Sequence, residues 1–138
     1  MAINVKRVLT GGLVAGVVII ASAVLMVPAV GDQMDRALEA RNLPAMGGGA
    51  MAFFALVSLS NGVVLVWLYA AVRPRLGPGP RTAAIVSLLV WFLAYFLANA
   101  ANVAYGFMPV RLTVIGTAWG LVELLVAGMV GARLYSEV

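Results

Sequence analysis

The chain has 138 residues, room for a single domain, and 64% of them are hydrophobic while only 10% are charged. Soluble domains carry about 25% charged residues, so a water-soluble bundle of this size is excluded and the solvent around most of the surface is lipid. The chain contains no Cys and no His, which excludes disulfides, thiol chemistry, imidazole acid–base work and the usual zinc and haem ligands; its net charge of +4 is split among segment ends, with no continuous basic stripe for nucleic acid.

A spanning helix needs about 20 mostly apolar residues, since each adds about 1.5 Å and the hydrocarbon core is about 30 Å thick. The first such stretch runs from Val8 to Val30. Lys6-Arg7, the apolar run and Ala21-Ser22-Ala23 mimic a secretory signal with a small-residue cleavage site. The run continues through Val27, beyond the ~7–15 residues of such a core, so a retained span is expected. Within it Gly12 and Gly16 form a small-xxx-small pair suited to helix contact.

Gly31 to Met46 is the longest connection. Asp32 is suited to cap a short helix, acidic residues fill its first turn, Arg41 sits near its end and Pro44 stops it. With Met34 and Leu38 on one face, the pattern predicts a short interfacial helix between spans 1 and 2, lying flat on the outer surface. The following Gly47-Gly48-Gly49 run reads as an interfacial connector, with a lid hinge as the functional alternative.

The second span is Gly48 to Val72. The loop after it, from Arg73 to Arg81, is stiff, turn-rich and cationic. Its simplest role is to hold that side in the cytoplasm; docking of anionic headgroups or an acidic partner is the further reading. It lacks the Gly-Lys-Ser/Thr ending and the preceding strand of a phosphate-binding loop. The third span is Thr82 to Tyr105 and the fourth Leu112 to Leu134, joined by Gly106 to Arg111, which permits only an antiparallel hairpin. No internal repeat is visible. The predicted fold is therefore all-α: a four-helix transmembrane bundle of antiparallel up-down hairpins, a single transmembrane domain over residues 1–138.

Lys6, Arg7, Arg73, Arg75, Arg81 and Arg133 fall on one side of these spans, and Arg36, Arg41 and Arg111 on the other with Asp32, Asp35 and Glu39. Six cations against three make the first side cytoplasmic, which places both termini inside.

Glu123 needs explaining. It lies eleven residues from Leu112, about 16 Å deep and near the bilayer centre. An acidic side chain there costs about 2.5–3.5 kcal/mol, which surrounding Leu, Val and Ile residues recover at about 0.3–0.6 each. No Lys or Arg lies within a span to pair with it, so its carboxyl is expected to carry a proton or to share hydrogen bonds with neutral partners. On an α-helical wheel Gly116, Trp119, Gly120, Glu123 and Ala127 share one face of the fourth span. Trp91, Tyr95, Asn99 and Asn102 form a stripe on the third span, and Phe54, Ser58, Asn61, Gly62 and Tyr69 one on the second. Counted from the outer ends, Tyr95, Ser58 and Glu123 are each about 15–17 Å down, with Asn61 a turn deeper and Asn99 a turn shallower.

The candidate intramembrane polar site is thus Glu123, Tyr95, Asn99, Asn102, Ser58, Asn61, Trp91 and Trp119. Interhelical hydrogen bonding, worth about 0.6 kcal/mol on average, accounts for the Ser and Asn residues. It accounts less well for Glu123, since Gln would make the same bonds at lower desolvation cost.

The whole chain resembles small bacterial four-span integral membrane proteins of unknown function. The likeness rests on Lys6-Arg7-Val8-Leu9 with Gly11 to Gly16, on Leu43-Pro44-Ala45-Met46, on Val66 to Arg75 followed by Gly77 to Ala83, and on Trp119-Gly120-Leu121-Val122-Glu123. It implies the four-helix architecture and supplies no activity. The small multidrug-resistance transporters are similar in size, span number and a single membrane-embedded Glu, but there the Glu is in the first helix; the similarity is one of design.

The expected function is that of a structural or accessory protein of the bacterial inner membrane, packing with itself as a homodimer or with a larger membrane complex. The alternative is a proton-coupled transporter or ligand-binding protein using Glu123, with Trp91, Trp119 and Tyr95 as aromatic walls. An enzyme is not expected, because one buried acid offers no nucleophile–base pair. No catalytic residue, cofactor or metal site is nominated; the expected surroundings are the lipid bilayer, without nucleic acid.

Overall fold

The computed structural model describes residues 3–137. The Asn4 side chain accepts the Arg7 backbone N–H at 3.2 Å and so starts α1, Val5–Glu39. At 35 residues, α1 is about 52 Å long, well beyond one hydrocarbon thickness. It carries Pro28 inside without ending there.

The separate interfacial helix expected after the first span does not form: the residues from Asp32 to Glu39 are helical, but they continue α1 along its own axis. Asp32 caps nothing. Val30 and Ala37, seven residues apart, bury the same side of α1 against Leu112, with Met26, Met34, Met108 and Ile115 around them. That packing carries the helix past Gly31, where the sequence suggested a break. α1 stops where Asn42 turns left-handed (φ 56°) and donates to Glu39 O at 2.9 Å, two residues before Pro44.

α2 is Gly48–Leu76. Gly48 and Gly49 form its first turn, with no side chain near them, so the triple-glycine run belongs largely to the helix. Gly77 ends α2 at φ 83°, a backbone conformation that suits glycine. α3, Pro80–Ala104, starts with Pro80 in its first turn, where the missing N–H has no intrahelical partner to lose. Thr82 Oγ1 donates to Gly77 O at 2.7 Å, and Gly79 N donates to Tyr69 Oη at 3.1 Å, closing the α2–α3 turn. Within α3, Phe92–Phe96 form a π turn, with Leu97 N reaching back to Phe92 O. α3 ends in a Schellman motif, Phe107 N to Asn102 O and Gly106 N to Val103 O, both 2.9 Å. α4 is Val110–Leu134. All four helices are long and apolar enough to cross a membrane, and Leu25, Phe53, Leu56 and Val122 show the wide apolar exposure that suits lipid as solvent.

The end that carries both termini is the proximal end; the opposite end, with the Asn42 and Gly106 turns, is distal. α1 packs on α2 and α4, and α3 packs on α4 and α2, while among the described residues α1 and α3 share no contact. Glycines set the closest approaches. A Cβ at Gly12 would meet Val63 Cα at 2.5 Å, one at Gly16 would meet Leu59 Cα at 2.6 Å, and Gly62 faces the backbone of both glycines. Gly11 lies against Gly131 of α4 in the same way.

The main core is proximal, built from Ala15, Ile19, Leu65, Val66, Val86, Leu124 and Ala127 among others. Beyond it the bundle loosens. α2 buries nothing before Gly62, and neither the π turn nor Leu97–Ala104 of α3 buries any residue. At this end α1 and α4 stay together through Val30, Ala37 and Leu112, and Arg41 Nη2 bonds Gly106 O to tie the two distal turns.

Candidate functional site

Glu123 sits where the proximal core gives way to the looser distal half. Only 7% of its surface is exposed. Its Oε1 accepts the Tyr95 hydroxyl at 2.8 Å, a bond between α3 and α4 at mid-helix. Tyr95 lies in the π turn, and its ring lies over Gly120, one turn before Glu123, in the space a Cβ would take. A bare backbone on α4 and a local widening of α3 together seat one phenol over one carboxyl.

A second arm comes from α1. Trp119 Nε1 donates to Ser22 Oγ at 2.8 Å. The same hydroxyl neighbours the Glu123 carboxyl without a hydrogen bond between them among the described residues. One O–H group, that of Tyr95, therefore bonds the acid directly, and a second stands nearby on α1.

Thr117, further toward the distal end of α4, gathers the remaining partners. Trp91 Nε1 donates to Thr117 O, and Asn99 Nδ2 to Thr117 Oγ1, both at 2.8 Å. The Thr117 hydroxyl donates to Thr113 O at 2.7 Å, leaving its oxygen free to accept from Asn99.

Five of the eight residues singled out from sequence, Glu123, Tyr95, Trp91, Asn99 and Trp119, thus bond across a helix interface to or from α4. The other three do not join them. Ser58 was expected at the depth of Glu123, but it lies beside Gly16, whereas Glu123 neighbours Ser22, six residues and about 9 Å further along α1. Its hydroxyl bonds Phe54 O of its own helix at 2.9 Å. Depth counted from helix ends fails here because the glycine crossing, and not the helix terminus, fixes the register of α2. Asn61 and Asn102 are half-buried, and neither has a side-chain hydrogen bond among the described residues. Asn102 lies less than a turn beyond Asn99, near the end of α3, where α3 buries no residue.

Ser22 and Thr117 escaped the sequence reading. Ser22 was visible only as part of a cleavage-like triplet, and Thr117 lies two turns from Glu123, where nothing in the wheel distinguished it. Gly116, assigned to the contact face, has no neighbour within 4 Å of a Cβ position. Chemically the cluster is a carboxyl held by a neutral donor and walled by indole and phenol rings. It can store a proton or receive a hydrogen-bond donor or a cation. Among the described residues no three Asp, Glu, Cys or His side chains gather to hold a metal.

Compared with known proteins, the chain matches no family model, no curated protein and no solved structure.

Proposed function

We propose that the chain is a structural or accessory protein of the bacterial cytoplasmic membrane, with both termini cytoplasmic, that assembles in the bilayer with a second copy or with a larger membrane complex. The observation carrying this reading is Asn61. It lies thirteen residues into α2, about 20 Å from the distal end, at the edge of the half in which α2 buries no residue. Its half-buried amide finds no partner among the described residues, and lipid offers none. A helix from a neighbouring molecule supplies one. The distribution of basic residues supports the orientation, and the resemblance to small bacterial four-span proteins supports the compartment.

Native mass spectrometry after gentle extraction tests the reading. A homo-oligomer or a bound subunit is expected, and Asn61→Leu should weaken it. A bare monomer from both proteins would overturn it.

A second reading is favoured by the Tyr95 hydroxyl on the buried Glu123 carboxyl: a proton-coupled site for a small cationic or polar solute, with Trp119 and Tyr95 as its walls. Here Glu123→Gln abolishes proton-coupled uptake in vesicles while leaving assembly intact. Uptake that survives the substitution would remove this reading.

A further inference from the structure

At the proximal rim, the residues after α4 fold back across the bundle mouth. Tyr135, 5% exposed, packs edge-on against Tyr69 with ring centroids 6.1 Å apart, and Asn4 N donates to its hydroxyl at 3.4 Å. Arg73, in the last turn of α2, lies over the same ring, with Cζ 5.6 Å from its centroid. Its side chain is 21% exposed, and Nη1 faces Glu137 Oε1 at 3.5 Å, an ion-pair distance that is long for a hydrogen bond. Nη1 is buried without a hydrogen-bond partner. Tyr135 and Glu137 therefore fix the guanidinium in place with Nη1 covered, and the exposed fifth of the side chain is the part a headgroup can reach.

Arg75 and Arg81 stand exposed on either side of the Gly77-Pro78-Gly79 turn, which Tyr69 and Thr82 hold closed. Lys6, Arg7 and Arg133 complete the rim, and among its described residues Glu137 is the one acid. These helix ends lie where headgroups begin. We infer that the α2–α3 turn is a binding site for the phosphate of an anionic phospholipid, with Arg73 as its fixed guanidinium and Arg75 and Arg81 as flexible flanking cations. The occupant is a lipid because the flanking cations sit at the ends of exposed apolar faces: Val64, 47% exposed, and Trp67, 49%, lead along α2 to Arg75, and Ile85, 42%, and Leu88, 46%, lead along α3 to Arg81. Acyl chains attached to the bound headgroup would run along those faces.

The site is independent of Glu123 and Asn61, and it is tested without reference to either. The full chain is reconstituted into phosphatidylcholine bilayers with a fraction of phosphatidylglycerol, one lipid or the other carrying brominated acyl chains, and tryptophan quenching gives the relative affinity. Trp67, about 9 Å along the axis from Arg73, is the local reporter. Wild type should prefer phosphatidylglycerol. Arg75→Gln with Arg81→Gln, whose side chains bond nothing in the fold, should lower that preference roughly 30-fold, at about 1 kcal/mol for each cation removed. Lys6→Gln with Arg7→Gln removes the same charge and should leave most of the preference.

Equal loss in the two variants would mean diffuse attraction and would overturn the site. Unchanged preference in the first variant would overturn it as well. Displacement of the lipid by inorganic phosphate at constant ionic strength would make a soluble anion the ligand, and displacement by polyglutamate an acidic protein. Either would overturn the lipid assignment.

Discussion

The Tyr95 ring and Gly120 occupy one space: the phenol lies where a side chain at residue 120 would stand, and from there its hydroxyl reaches Glu123. Gly120→Ala should therefore lift the ring, lengthen the Tyr95–Glu123 bond and destabilise the α3–α4 pair by about 1–3 kcal/mol. Thermal unfolding in detergent measures the loss, and adding Tyr95→Ala should recover part of it. Gly116→Ala, one turn away in open space, should be neutral or slightly stabilising.

The strength of the phenol–carboxyl bond is accessible from a double-mutant cycle. Tyr95→Phe should cost more in the presence of Glu123 than in Glu123→Leu, with a coupling of about 0.6–1.7 kcal/mol, the range found for interhelical bonds in membranes. A coupling near zero would show that lipid exposure of the π turn loosens the contact.

Gly62 faces the backbone of Gly12 and Gly16, with no flexible side chain to give way. Gly62→Leu should force α1 and α2 apart and lower the fold's resistance to unfolding as SDS is added. Gly48→Leu, at an open position of the same helix, should leave it intact. This pair of substitutions separates helix contact from helix propensity.

Tyr135 closes the proximal mouth through one edge-on aromatic contact and one cation–π contact. These are worth about 0.5–1.5 and about 0.5–1 kcal/mol. Tyr135→Ala should therefore raise the rate of carboxypeptidase trimming several-fold while leaving the helical content by circular dichroism unchanged. Tyr135→Phe keeps both ring contacts and should stay close to wild type.

The four helices were legible because lipid makes a simple demand: enough apolar residues in a row. Three of the four helices begin and end within a few residues of the stretches expected to span, and the exception is informative. α1 outruns its apolar stretch because Val30 and Ala37 find Leu112 across the bundle, a tertiary contact absent from local sequence. For the polar cluster, helical periodicity grouped Trp119, Gly120 and Glu123 on α4 and Trp91, Tyr95 and Asn99 on α3, and the fold brings these residues together, while Gly116 of the same α4 face stays in open space. It misplaced Ser58, since the glycine crossing sets the axial register of α2, and it counted in Asn102, which lies where α3 buries no residue. Ser22 became visible only when the fold brought α1 beside Trp119.

α1 has one further property that follows from its length. From Val5 to Glu39 it is a single rod, fastened proximally at the Gly12–Gly62 crossing and distally through Ala37 and Arg41. Pro28 withholds the one backbone N–H that would bond Val24 O, so the rod has one soft point, between those two fastenings. A torque applied to the acidic distal segment bends α1 at Pro28, close to Ser22 and its hold on Trp119, before it reaches the glycine crossing. Ser22, and through it Trp119 beside Glu123, thus sits about 9 Å from the point where the longest helix in the molecule yields most readily.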